Sequence, residues 1–215
     1  MTIRDWTKGW LTVVLFGIMA VGLTFGCGGD PPKANLDAAT QALQAAKAAG
    51  AEKYATSELS SAQSAFGNAK NAYDAEAANM FKDWEKVKPL LDDAKNKANV
   101  AETTANQAKS KAMSVADAAI SAAVSAIEGA QTSLEYAPAG KGTESDIEQL
   151  RADLGGAESD LSAARSAVSR EDFEAATSKA TSAKGAAVEI AGAVQQAVVK
   201  YNDLVEKNKP WYLKN

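Results

Sequence analysis

The chain has 215 residues, a net charge of −4 and no histidine. Mild acidity argues against nucleic acid as a partner, because phosphate binding needs clustered lysine and arginine. The commonest general base and transition-metal ligand is missing, and one cysteine, Cys27, cannot form an internal disulfide. Alanine makes up about a fifth of the chain, and it has the best helix propensity of any residue. β-branched and aromatic residues are too sparse for a sheet. The composition predicts an all-α protein and leaves no obvious means of catalysis or cofactor binding. No cofactor and no metal site are expected.

In chain order, Arg4 and Lys8 make a weakly basic start, and residues 11–26 carry no charge. That run is about 16 residues, or about 24 Å as a helix, short of the ~30 Å hydrocarbon core of a bilayer. A short apolar core after a basic start predicts an export signal over residues 1–26. The residues Leu23-Thr24-Phe25-Gly26 before Cys27 resemble the lipobox of bacterial lipoproteins, in which a small residue precedes the modified cysteine. The resemblance implies cleavage between Gly26 and Cys27 and lipidation of Cys27. Thr24 and Phe25 depart from the usual pattern. An uncleaved signal anchor and ordinary secretion are the competing readings. Residues 27–34 then form a lipidated cysteine and a flexible tether, with glycines at 28 and 29 and prolines at 31 and 32. Among similar lipoproteins an aspartate directly after the cysteine favours the inner membrane. Gly28 stands there, so the expected location is the outer membrane, facing the periplasm.

The body predicts five helices. The first spans about 35–49 and stops at Gly50. The second spans about 57–79. The third runs from the 83–90 region to about 135, with Pro89 either in its first turn or at a kink. The fourth spans about 144–169 and the fifth about 172–207, before Pro210. Leu59, Phe66, Tyr73 and Met80 recur every seven residues, with Ala62 and Ala69 between them. Glu76 breaks that second row, and Ala77 is expected to fill the layer. Ile147, Leu154, Leu161 and Val168 repeat the series, with Leu150, Ala157 and Ala164 between. Such a step is the seam of an antiparallel bundle or coiled coil, and short connections imply antiparallel neighbours. The flanks repeat as well. Tyr54-Ala55 corresponds to Tyr136-Ala137, and Asp83-Trp84 to Asp172-Phe173, with both aspartates placed as N-caps. The expected architecture is an elongated antiparallel bundle of two related helical units, residues 35–118 and 119–208, followed by an aromatic tail, 209–215.

The stretch Gly50-Ala51-Glu52-Lys53-Tyr54-Ala55-Thr56-Ser57-Glu58-Leu59 resembles the GA-x-x-YAP-x-EL turn of a family of small alanine-rich bacterial lipoproteins. The helical domain of that family has no assigned function. Asp83-Trp84 and Asp172-Phe173 are similar to its Gly-Asp-Tyr turn. Thr56 replaces the family's proline, and Lys82 and Glu171 replace its glycine. The resemblance covers about residues 35–110 and, more faintly, 120–195. It implies an envelope location and supplies no activity.

Tyr54, Trp84, Tyr136 and Phe173 sit at turns and are candidates for an interaction surface. The structural alternative is that they cap the bundle, with rings buried and hydroxyls wet. Trp211 and Tyr212, between Lys209 and Lys214, are candidates for docking on a membrane or partner, and the structural alternative is that they fold back on the end of the bundle. The acidic residues of the fourth helix, and Asp92-Asp93, are spread along helices and read as solvated faces, not a calcium loop. Gly155-Gly156 lies inside a helix, where close packing is expected and a phosphate loop is not. The function expected is a non-enzymatic, membrane-anchored spacer or protein-interaction module, meeting an envelope protein or a second copy of itself. The second reading is a ligand-binding or chaperone-like protein using a cleft between the two units.

Overall fold

The computed structural model describes residues 30–138, 140 and 142–210. Gly26, Cys27, Trp211 and Tyr212 lie outside them. The described residues form α1 (Lys33–Ala48), α2 (Ala51–Tyr54), α3 (Thr56–Ala78), α4 (Lys88–Glu135), α5 (Glu144–Ser169) and α6 (Phe173–Lys207), with a 3-10 turn at Trp84–Lys86. The all-α bundle expected from composition is what forms. The five long helices agree with the hydrophobic pattern to within a residue or two at most ends. The one-turn helix α2 is additional.

The termini follow local chemistry. Gly50 takes φ +84° and ends α1, a left-handed conformation that costs glycine nothing. α4 starts at Lys88, so Pro89 occupies the first turn, where its missing N–H is no loss. Asp172 caps α6 by accepting from the Ala175 amide at 3.5 Å. Asp83 departs from expectation. It makes no side-chain cap bond and opens the 3-10 turn, with its carboxylate 2.9 Å from Lys86 Nζ.

α4 has 48 residues and is about 70 Å long at 1.5 Å per residue. Its first half packs with α1 and α3, and its second half with α5 and α6. The two repeats are therefore two three-helix units that share one helix. α4 is the last helix of the first unit and the first helix of the second. Its buried residues Leu91, Ala94, Ala98, Ala101 and Ala105 alternate steps of three and four. The next fully buried residue is Ala116, and the pattern resumes through Ala123, Ile127, Ala130 and Leu134. The step from Ala105 to Ala116 is close to three full turns at 3.6 residues per turn, so the stripe stays on one side of α4. Both helix pairs consequently lie on that side, end to end.

The core is mostly alanine. α6 contributes Ala176, Ala180, Ala183, Ala187, Ile190, Val194 and Ala197. Small side chains bury little area each, so cohesion comes from close backbone approach along long contacts. The second heptad series is core throughout: Ile147, Leu154 and Leu161 are buried and Val168 is half-buried. The first is not. Leu59 is buried, Phe66 and Tyr73 are half-buried, and Met80 is 91% exposed. α3 ends at Ala78, so Met80 lies beyond the helix that would have turned it inward. Ala77 is exposed too, and the half-buried Glu76 turns to the following loop instead. Gly155 and Gly156 are also a correction. A side chain at either would meet nothing within 4 Å, so they are surface residues and not a close-packing device.

Candidate interaction site at the junction of the two units

The two units meet where the turn between α1 and α3 faces the turn between α5 and α6. On one side, Gly50 reverses the chain and α2 presents Lys53 and Tyr54. On the other, α5 ends in two bonds that tighten its last turn: the Glu171 amide to the Val168 carbonyl at 2.9 Å, and the Asp172 amide to the Ala167 carbonyl at 2.9 Å. This is the pairing of a Schellman motif, which needs a left-handed residue at its centre. Glu171 is that residue, with φ 58°. It is the only non-glycine with positive φ among the described residues.

Lys53 Nζ lies 3.2 Å from Asp172 Oδ1, and Lys109 Nζ lies 2.6 Å from Glu171 Oε2. Both pairs cross between the units. The hydrogen bond to Asp172 holds the Lys53 ammonium above its ordinary pKa of 10.5. The same bond, helped by the Ala175 amide, holds the Asp172 carboxyl below its ordinary 3.8. Lys53 also sits 5.6 Å from the centre of the Tyr54 ring, within cation–π range.

Beneath these pairs Ala116, Ala167, Phe173 and Ala176 form a small core against which Tyr54 packs. Tyr54 also packs on the alanine cluster of the first unit, with Ala46, Ala51, Ala101 and Ala105. It is the side chain common to both. Its hydroxyl oxygen is buried and has no hydrogen-bond partner, so the expectation of a wet hydroxyl fails. Beside it is an open groove of about 660 Å³, lined by Lys53, Tyr54, Lys111, Val115, Phe173 and Glu174 among others. An apolar floor with lysines and one glutamate at the rim suits an aromatic or aliphatic group with a polar edge. It offers no nucleophile paired with a base.

Of the turn aromatics, Tyr54 and Phe173 come together here. Trp84 is buried at the other end of the first unit, its ring centroid 5.1 Å from that of Tyr73, with its indole nitrogen unpartnered. Tyr136 is 79% exposed, against the expectation of a buried ring. Tyr54 has a second unit to pack on, whereas its counterpart Tyr136 lies at the free end of the second unit. The acidic residues of α5 are separately engaged: Asp146 with Lys200 at 2.6 Å, Asp160 with Lys179 at 2.9 Å. Among the described residues no three His, Cys, Asp or Glu side chains converge where a metal ion would sit.

Residues 34–114 match the family model of a domain of unknown function, DUF4398. The match takes in α1, α2, α3 and the first half of α4, which together are the first three-helix unit. No curated protein and no solved structure matches the chain. Among the described residues only the segment Trp84–Glu135, which contains α4, is long and apolar enough to cross a membrane by composition, its most apolar 18-residue window having a mean hydropathy of 1.2. α4 also supplies the buried stripe of both units.

Single-sequence reasoning did not find Lys53, Lys109, Lys111 or Glu171. The two ion pairs join residues 119 and 62 positions apart, and no local pattern announces such contacts. Glu171 had one signal, its place where the resembling family carries glycine.

Proposed function

We propose that the protein is a non-enzymatic lipoprotein of the bacterial cell envelope, tethered through Cys27 and acting as a spacer or protein-interaction module. The observation that carries the reading is the placement of the two chain ends along α4. Asn35 near the start of α1 donates to Asp92 near the start of α4 at 2.9 Å, so the tether joins the bundle at the Lys88 end. α6 ends beside the α4–α5 loop, with Leu204 against Gly142 and Tyr201 against Gly140. The start of α1 and the end of α6 are thus separated by about the length of α4, about 70 Å. Tyr136 is exposed at the far end, where the tail begins. A tether entering at one end and an exposed aromatic, Tyr136, at the other suit a module that meets an envelope partner, or a second copy of itself, away from its own membrane. The outer membrane is the proposed location, on the sorting analogy of Gly28.

The groove beside Tyr54 supports a second reading, a ligand-binding or chaperone-like lipoprotein, because the groove lies between the two units. Intact mass and membrane partition of the expressed protein, beside Cys27→Ala, test the first reading. Loss of residues 1–26, a gain of acyl mass and membrane partition that Cys27→Ala abolishes are expected. Full-length mass in both proteins overturns lipidation. Crosslinking in cells then separates the two readings: capture of one envelope protein through Tyr136 favours the spacer, and capture through Lys111 or Glu174 favours the groove.

A further inference from the structure

Two large apolar side chains, Met80 and Phe81, stand in solvent side by side, at 91% and 89% exposure. They occupy the loop between α3 and the 3-10 turn, and that loop is fastened. Glu76 accepts from the Asn79 side-chain amide at 3.0 Å through one carboxylate oxygen and from the Asp83 backbone N–H through the other. The Asn79 backbone N–H donates to the Glu76 backbone carbonyl at 3.2 Å. Behind the loop, Trp84 and Val87 are buried against Leu91, Ala39 and Leu36. The chain therefore spends ordered structure on holding two apolar residues away from its own core. The corresponding α5–α6 turn, Arg170–Asp172, is tight and carries no such pair.

The loop's position says what covers it. It lies at the Lys88 end of α4, the end at which α1 begins. Five residues lie between Cys27 and Lys33, so the six steps from one to the other span at most about 20 Å of extended chain. An anchor at Cys27 holds this end against the bilayer whatever the tilt of the rod. Local charge is balanced: Lys86 pairs with Asp83 and Lys88 with Glu85. Lys33 and Lys82 are exposed, as is Asp30 on the tether. The contact is accordingly apolar first and electrostatic second.

We propose that Met80 and Phe81 form a membrane-contact tip, inserting into the lipid interface beside the anchor and setting the angle at which the rod leaves the surface. The tip rests on the membrane-anchored reading above and adds a second point of attachment to it. Apolar side chains at an interface reach about 5–10 Å into the boundary between headgroups and acyl chains. One lipid anchor leaves a rod free to swivel, whereas an anchor and an apolar tip fix its orientation.

The test uses the mature protein, purified from membranes and reconstituted into phosphatidylcholine vesicles with or without brominated acyl chains. Phe81→Trp is compared with Val199→Trp, a 60% exposed position near the far end, and with the unmodified chain. Both sites are exposed, so neither substitution threatens folding. Several-fold stronger bromine quenching of the Phe81→Trp variant than of the Val199→Trp variant is expected, with little dependence on salt. A second variant, Met80→Ser combined with Phe81→Trp, should lose part of that quenching. Protein that floats with the vesicles and shows equal quenching at both sites overturns the tip and leaves the anchor standing. A blue-shifted emission without quenching also overturns it, because the pair is then buried against protein. Protein that fails to float at all overturns both.

Discussion

Lys53 Nζ lies 3.2 Å from Asp172 Oδ1, joining the α1–α3 turn to the α5–α6 turn across 119 positions of sequence. The pair sits at the mouth of the Tyr54 groove and bridges two units whose other shared element is α4. It is exposed, so it contributes mainly to how the turns are held together, and salt weakens it.

The first prediction follows from its titration. The Asp172 carboxyl is held below 3.8 in the folded chain, chiefly by the Lys53 hydrogen bond. The associated stability is fully present above the ordinary pKa and is lost as pH falls through the lowered one. Asp172→Asn retains a capping side chain for α6 and removes the charge. Thermal unfolding at neutral pH and at about pH 3 should therefore show a smaller acid loss in Asp172→Asn than in the parent. The difference should shrink in high salt, which screens the Lys53 charge but leaves the Ala175 amide in place. An unchanged acid loss would show that the pair is uncoupled from folding.

Glu171→Gly should stabilise the chain. A non-glycine residue in the left-handed region costs about 1–2 kcal/mol, and the exposed Lys109 pair lost with it is worth about 0–1 kcal/mol. A net gain of about 1 kcal/mol in urea unfolding is expected. The same substitution at Lys82 should do little, because Lys82 does not have a positive φ.

Tyr54→Phe removes a buried hydroxyl with no partner. Deleting an unpaired polar group at constant shape is neutral or favourable. Stability should stay level or rise by up to about 1 kcal/mol. A loss above that value would show that the hydroxyl is satisfied in solution.

Ala116→Leu should destabilise the junction. Ala116 is fully buried against Ala167, Phe173 and Ala176, and added methylenes in a filled core cost about 1–3 kcal/mol. Hydrogen exchange should report the loss mostly in α5 and α6 near their shared turn. Loss confined to α1 would contradict the packing described.

The sequence carried the helices well, because their signals are local. Gly50, Pro89 and Asp172 mark ends through backbone chemistry that needs no distant partner. The seven-residue series in Ile147–Val168 marks a buried face. The same reasoning failed at Met80, where the period ran on but the helix did not. It failed at Tyr136, whose twin Tyr54 is covered only because another unit follows. Asp83 looked like a cap by analogy with Asp172, yet the chain makes a 3-10 turn there and pairs the carboxylate with Lys86.

By itself, then, the sequence determined an all-α chain, its helix boundaries, its internal repetition and the absence of a histidine anywhere in it. These depend on propensity, capping and period, which act within a few residues. The tertiary structure alone decided that the repeats share α4, that Tyr54 and Phe173 meet while Trp84 and Tyr136 lie at opposite ends, and that Met80 and Phe81 face solvent. Those outcomes depend on which alanine stripe meets which, a choice made between residues far apart in the chain and invisible to any local pattern.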